Sequence, residues 1–218
     1  MGIGDWRVVV ARGYDRIGDR YLRLRTSVPD AGASFLAAAV EAMPEGSVAV
    51  DLGCGPGRPV TSELSRRGLA IGVDLSTEQL RLASREAPSA RLVRADLSAI
   101  AFRPGSVDLV TAFHVLNHVP DRLLSQVLHS IAGWLRDDGV LVASFPATAM
   151  DDSIEADWLG VPMFFAGLDA DENLELVEQA GFHISRSEVV TSRGPDGELE
   201  RFLWVIAHLV SRVRREPG

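Results

Sequence analysis

Between residues 47 and 145, short apolar runs alternate with longer segments whose apolar positions recur every three or four residues. The runs SVAVD (47–51), LAIGVD (69–74), ARLVRAD (90–96), VDLVTAF (107–113) and GVLVASF (139–145) read as five strands. Between them, PVTSELSRRG (59–68) reads as a helix closed by a C-terminal glycine. STEQLRLASREA (76–87) opens with Ser76 and has Gln79 three residues on, the layout of a capping box. DRLLSQVLHSIAGWLRDDG (121–139) puts Leu123, Leu124, Val127, Leu128, Ile131, Trp134 and Leu135 on one helical face. Such alternation predicts an α/β fold, a doubly wound and mostly parallel sheet covered by helices on both faces.

The flanks follow other patterns. GYDRIGDRYLRLR (13–25) is a moderately amphipathic helix, and AGASFLAAAVEAM (31–43) a second one, N-capped by Asp30 and ended by Pro44-Glu45-Gly46. Residues 146–167 read as irregular, acidic at the start and aromatic at the end. A helix over 171–181 precedes strands at 182–190 and 199–209, and TSRGPDGE between them suits a hairpin, so these two should be antiparallel.

Composition narrows the chemistry. A chain of 218 residues, 46% apolar and 24% charged, fits one soluble domain. Without a membrane-length apolar stretch or a signal-peptide layout at the N-terminus, the expectation is a cytoplasmic protein with no membrane partner. The single cysteine, Cys54, excludes an internal disulfide and a cysteine-rich metal site. A net charge of -8 argues against nucleic acid as a partner, and the basic tail RVRREPG (212–218) reads as a solvated end. All 22 basic residues are arginine, which removes Schiff-base chemistry, a P-loop lysine and a lysine base together. Five histidines, two tyrosines and the carboxylates remain for proton transfer.

The first strand runs into Asp51-Leu52-Gly53-Cys54-Gly55-Pro56-Gly57. Parallel sheets bind ligands beyond the carboxyl ends of their strands, where glycine lets backbone approach the ligand. A dinucleotide fingerprint would need glycine at position 58, where Arg58 stands, so a nicotinamide oxidoreductase is disfavoured. The glycines alone are also compatible with a plain tight turn. Asp74 closes the second strand, where a carboxylate can accept from a ribose diol, and Asp96 closes the third, where an acid suits an adenine amine flanked by Leu75 and Leu97. Each acid alone could be a helix cap, but three in a row at one sheet edge are poorly explained that way.

VAVDLGCGPG, GVDLS, RADL, VDLVTAFHVLNHVPD and the LRDDGVLVAS strand, in this order over residues 47–145, resemble the class I S-adenosylmethionine-dependent methyltransferases. The nearest branch is the small-molecule one of ubiquinone/menaquinone-type and natural-product tailoring enzymes. The resemblance implies a Rossmann-like seven-stranded sheet whose final strand is antiparallel. It implies that Asp51, Gly53, Gly55 and Gly57 surround the methionine part of S-adenosylmethionine, with Asp51 holding it directly or bracing the turn. It further implies Asp74 for the ribose, Asp96 with Leu97 for the adenine, Leu75 and Phe113 beside the cofactor, and no metal. Arg58-Pro59 departs from the family pattern, which usually has a less hindered residue. In this branch the N-terminal helix, here with Tyr14, Asp15 and Tyr21, often folds over the cofactor.

These readings give one domain over 1–218: a helical lid (1–46), a cofactor core (47–145), a substrate-side insertion (146–170), a last helix and hairpin (171–209) and a polar tail (210–218). FHVLNHVPD (113–121) follows strand four, so His118 is the first candidate general base, His114 the second, and Asn117 faces the acceptor. Either histidine could instead only line the pocket. His129 reads as solvated, and His183 and His208 lie in the terminal strands. A metal on His114 and His118 with Asp121 or Asp151 lacks a fixed third ligand. Trp158, Met163, Phe164 and Phe165 suit a flat, apolar acceptor. The expected activity is methyl transfer to O, N or C of a small aromatic or heterocyclic metabolite, in secondary metabolism, by a monomer or homodimer. The rival is a non-catalytic S-adenosylmethionine-binding subunit that supports a partner enzyme.

Overall fold

The computed structural model describes residues 5–27 and 32–210; the expected cap Asp30 and the tail 212–218 lie outside the described residues. The described strands are β1 (Val48–Leu52), β2 (Leu69–Asp74), β3 (Arg91–Arg94), β4 (Val107–Ala112), β5 (Leu135–Pro146), β6 (Met150–Trp158), β7 (Val161–Gly167), β8 (Phe182–Arg193) and β9 (Leu199–Leu209). The helices are α1 (Trp6–Ser27), α2 (Ala33–Ala42), α3 (Val60–Leu64), α4 (Thr77–Glu86), α5 (Asp121–Trp134) and α6 (Ala170–Gln179).

Seven strands form one sheet in the order β3-β2-β1-β4-β5-β9-β8. The pairs from β3 to β5 are parallel, and β9 runs antiparallel to both β5 and β8. The fold is the Rossmann-like doubly wound sheet with an antiparallel C-terminal hairpin. Chain order reverses between β1 and β4, which opens a crevice at their carboxyl ends.

Both faces of the sheet are buried, which explains the nearly continuous apolar strands. Val50, Leu52, Val110, Ala112, Leu141 and Ala143 point toward α5 and α6. Ala49, Leu109 and Val142, one residue out of phase, join Phe35, Leu36 and Ala39 of α2 and Leu64 of α3. On α5, Leu124, Val127, Leu128 and Ile131 form the buried stripe expected from the 3.6-residue period.

Four local expectations change. First, α1 starts at Trp6 rather than at residue 13, because Trp6, Val10, Gly13 and Ile17 recur at i, i+4, i+7 and i+11 and pack on β7. Second, α5 stops at Trp134: Leu135 turns extended to pair with Val107 of β4 instead of extending the helical face. Third, Ser76 accepts from the Gln79 backbone, but neither polar atom of the Gln79 side chain has a partner, so only half of a capping box forms. The full box occurs instead at α6, between Asp169 and Glu172.

Fourth, the segment read as irregular is a β-hairpin, β6 against β7, with Trp158 paired to Val161 around Leu159-Gly160. Both turn residues have positive φ (52° and 81°), as a two-residue type I′ turn requires. Leucine in place of the usual Asn or Asp hid the turn from the sequence. The hairpin and α1 share an apolar cluster in which Met163 and Phe164 are fully buried. A Cβ at Gly13 would lie 2.6 Å from Met163 Cε, so the helix rests directly on the strand. Met163 is therefore core, not pocket wall.

Leu128 is 0% exposed at the centre of the α5 stripe. Leu128→Ala should destabilise the chain by about 3 kcal/mol through lost burial and the cavity left behind. Chemical denaturation monitored by far-ultraviolet circular dichroism measures it.

Candidate active site

The site forms where β1 ends. Gly53 and Cys54 both donate their N–H to the Val73 carbonyl, which turns the chain back over β2. Gly53 has φ of 67°, and a Cβ there would sit 2.3 Å from Val115 Cγ2, so no other residue fits. Gly55 N–H donates to Asp74 Oδ2 (2.9 Å), and Ser76 N–H to Asp74 Oδ1 (2.8 Å). A Cβ on Gly55 would meet nothing nearer than Gln79 Oε1 at 3.8 Å, so this part of the turn faces open space. Gly57 plays another part: its Cβ would lie 3.1 Å from Ala83 Cα, so it packs the turn on α4.

The open space is a cleft of about 600 Å³, partly open to solvent, at the reversal of strand order. Tyr14, Tyr21, Gly53, Gly55, Asp74 and Leu75 line it. Leu97, Phe113, His114 and His118 also reach it, so most of the predicted cofactor residues converge on one place. Asp51 lies beside it, against a smaller space that Tyr21, Gly53, Gly55, Phe113 and His114 also border. Its carboxylate is 2% exposed and accepts from Thr61 Oγ1 (2.5 Å) and Thr111 Oγ1 (2.8 Å). Those bonds tie β1 to α3 and β4, as expected of a residue that braces the turn.

Burial pushes the carboxyl of Asp51 up to about 6, against the lowering effect of its two threonine hydroxyls. Burial likewise pushes Asp74 up to about 6, against its backbone N–H bonds. Two carboxylates so placed in the interior favour a cationic ligand, which would hold both ionised.

His118 is oriented from both sides. Its Nδ1 lies 2.7 Å from the Phe164 carbonyl, which only accepts, so Nδ1 carries the proton. Its Nε2 then accepts from the Tyr14 hydroxyl at 2.9 Å. Burial lowers the imidazole to about 4, against the raising effect of the carbonyl. For His118, the first candidate base, the Nε2 lone pair that a base would use is engaged by Tyr14, and burial lowers the basicity of the ring. His118 positions Tyr14. His114 lies at the junction of both spaces with φ of 51°, and its N–H donates to Ser144 Oγ.

Two further expectations shift. Asp96 does not line the cleft: its carboxylate takes the Arg7 guanidinium and Ser98, and only its neighbours Ala95 and Leu97 reach the cleft. Phe164 packs among Trp6 and the β7 core, whereas Trp158, Phe165 and Asn117 border a second groove. The cleft also takes in residues that were not sequence candidates, among them Trp6 and Gln79. Trp6 lies before residue 13, where the sequence pattern starts the first helix. Gln79, 1% exposed with both amide atoms unpartnered, was read only as a cap. Among the described residues no group of three or more His, Cys, Asp or Glu could hold a metal ion, and no helix is long and apolar enough to cross a membrane.

Residues 50–143 match the family model described as a methyltransferase domain. The match spans a little under half of the chain, which is to that extent similar to a methyltransferase domain. A trans-aconitate 2-methyltransferase of Azoarcus sp. (strain BH72) is 36% identical over 104 residues, which is 47% of this chain and 40% of the relative. A ubiquinone biosynthesis O-methyltransferase of Cupriavidus pinatubonensis is 41% identical over 83 residues, 35% of this chain and 32% of that one. The matched stretches thus span well under half the length of these curated relatives. Among solved structures, the Burkholderia thailandensis 1,6-didemethyltoxoflavin-N1-methyltransferase with bound 1,6-didemethyltoxoflavin and S-adenosylhomocysteine superposes with a TM-score of 0.73 at 20% identity. It covers 97% of this chain and 92% of its own, and shows the shared fold. The donor of this family is a sulfonium cation, which the open face of Gly55 and the two buried carboxylates suit.

Two measurements test the electrostatics. Because a cation binds the ionised carboxylates, S-adenosylmethionine affinity should fall by up to about tenfold for each group per pH unit once pH drops below about 6. Calorimetry between pH 7.5 and 5 reads this directly. His118, lowered to about 4, should keep constant ring resonances from pH 8 down to 5.5. Nuclear magnetic resonance of the histidine rings checks it.

Proposed function

We propose that the chain transfers the methyl group of S-adenosylmethionine to an O, N or C atom of a small aromatic or heterocyclic molecule. The observation that carries this reading is the juxtaposition at the strand-order reversal. A glycine turn with open space beside two buried carboxylates faces an aromatic wall of Tyr14 and Tyr21, with Trp158 packed edge-on against Tyr14. When bound, the cofactor supplies an activated methyl group on a good leaving group, so the chain's own task is largely positioning.

Asp74 serves the ribose end, since its two oxygens keep lone pairs beyond those used by Gly55 and Ser76. Asp51 fixes the turn through Thr61 and Thr111. Tyr14, edge-on to Tyr21 and Trp158 and hydrogen-bonded to His118, closes one side of the cleft and is held in a single orientation. That orientation excludes water from the reacting centre and presents an aromatic edge to the acceptor. His114 is the remaining imidazole at the cleft and the candidate to take a proton from an acceptor that arrives protonated.

Incubation with radiolabelled S-adenosylmethionine and a metabolite extract should place label on small molecules. Label found only on protein or RNA would refute the reading, and turnover that requires a second chain would favour the role of a non-catalytic subunit. Asp74→Asn should weaken S-adenosylhomocysteine binding by roughly 10- to 100-fold, the worth of charged hydrogen bonds lost at a buried site. Titration calorimetry measures that change.

A further inference from the structure

Helix α4 buries Gln79, Leu82 and Ala83, spaced i, i+3 and i+4 on one face. Two of the three are apolar, as a buried stripe requires; the first is an amide. Gln79 is 1% exposed, and neither its Nε2 nor its Oε1 has a hydrogen-bond partner among the described residues. An unpaired amide in the interior is destabilising, so an unbranched apolar side chain would suit the helix better at this position.

The cap of α4 does not account for the amide. In a capping box the residue at this position reaches back to the backbone N–H of the capping serine. That N–H is already taken, because Ser76 donates it to Asp74 Oδ1 at 2.8 Å. The Ser76 hydroxyl is committed too, accepting from the Gln79 backbone N–H (3.1 Å) and donating to Asp15 Oδ1 (2.6 Å). Asp74 thus displaces the Gln79 side chain from the cap, and both residues line the cleft. Gly55 adjoins them both. Its N–H donates to Asp74 Oδ2, and a Cβ built on it would have Gln79 Oε1, at 3.8 Å, as its nearest neighbour. The carboxylate and the amide therefore flank the same open stretch of backbone.

We infer that Gln79 binds the ribose diol of the methyl donor together with Asp74. The inference rests on the methyltransfer reading above. Ionised Asp74 offers only acceptors, so alone it takes the protons of a diol and leaves the hydroxyl oxygens without donors. A hydroxyl enclosed in a buried site is stable only when its polar atoms find partners. The Gln79 amide supplies what is missing: Nε2 donates to a hydroxyl oxygen, and Oε1 adds an acceptor. The amide destabilises the unliganded chain and stabilises the complex, so its two effects have opposite sign.

Gln79→Met keeps the length of the side chain and removes both polar atoms. Without ligand, the variant should melt about 2 to 5 °C above the wild type, because an unpaired buried amide is gone. In titration calorimetry at pH 7.5 it should bind S-adenosylhomocysteine roughly tenfold more weakly, the loss of one or two buried hydrogen bonds. The 2′-deoxy and 3′-deoxy forms of S-adenosylhomocysteine localise the contact. For the form that lacks the hydroxyl met by the amide, the loss should shrink to less than about threefold, as the coupling in a double-mutant cycle does. Gln79→Leu should repeat both signs with a side chain of different shape. Unchanged or tighter binding of S-adenosylhomocysteine, a lower melting temperature in both variants, or the same loss on all three ligands would overturn the inference. Failure of the wild type to bind S-adenosylhomocysteine at all would count instead against the methyltransfer reading, which keeps the two outcomes apart.

Discussion

The carboxylate of Asp74 holds two backbone N–H groups at once, Gly55 from the turn after β1 and Ser76 from the start of α4. Much of the site depends on that double bond. It locks the end of β2 against the glycine turn, so the turn cannot relax into the cleft it borders. It also sets the first turn of α4, where the Ser76 hydroxyl accepts from the Gln79 backbone N–H and caps the helix. The same carboxylate faces the cleft. A residue that shapes the backbone and a residue that meets the ligand are therefore one group, and its burial makes it sensitive to the charge of whatever binds.

A second layer closes the cleft from above. α1 is fastened to the core by Arg7 on Asp96, Tyr14 on His118 and Asp15 on Ser76 and Glu78. Its underside rests on β7 through Gly13 and Met163. These links join residues roughly 60 to 150 positions apart in the chain, including Arg20 on the Leu159 carbonyl at the tip of the hairpin. The hairpin and the helix therefore form one apolar cluster beside the cofactor side of the sheet, and His118 sits where that cluster meets β4. Burial of His118 is the consequence, and its neutral, pre-bonded state follows from burial rather than from its sequence position.

The central sheet was legible because its signals are local. Apolar strands, glycine at the turn and acids at the strand ends repeat in order, and each strand expected over residues 47–145 is present. The convergence of Asp74, Leu97 and Phe113 on one cleft follows from that order once the sheet forms. What failed was decided by contacts distant in sequence. Nothing near Asp96 announces that Arg7 will take its carboxylate, and nothing in FHVLNHV says that the Phe164 carbonyl and Tyr14 will occupy both nitrogens of His118. Aromatic content alone could not separate Met163 and Phe164, which fill the core under α1, from Trp158 and Phe165, which border the groove. Alternation along β7 does not separate them either, since it puts Met163 and Phe165 on one face and Phe164 on the other.

Arginine as the sole basic residue type gives the charge distribution an unusual clarity. Several guanidinium groups are spent at the periphery, on Asp5, Glu63, Glu78, Glu86, Asp108 and Asp152, and Arg7 takes Asp96 beside the cleft. Among the described residues no cationic side chain is paired with Asp51 or Asp74, whose partners are hydroxyls and backbone N–H groups. Hydroxyls and amides orient a carboxylate but carry no formal charge, so the interior at the end of β1 and β2 keeps a negative potential that only a bound cation neutralises.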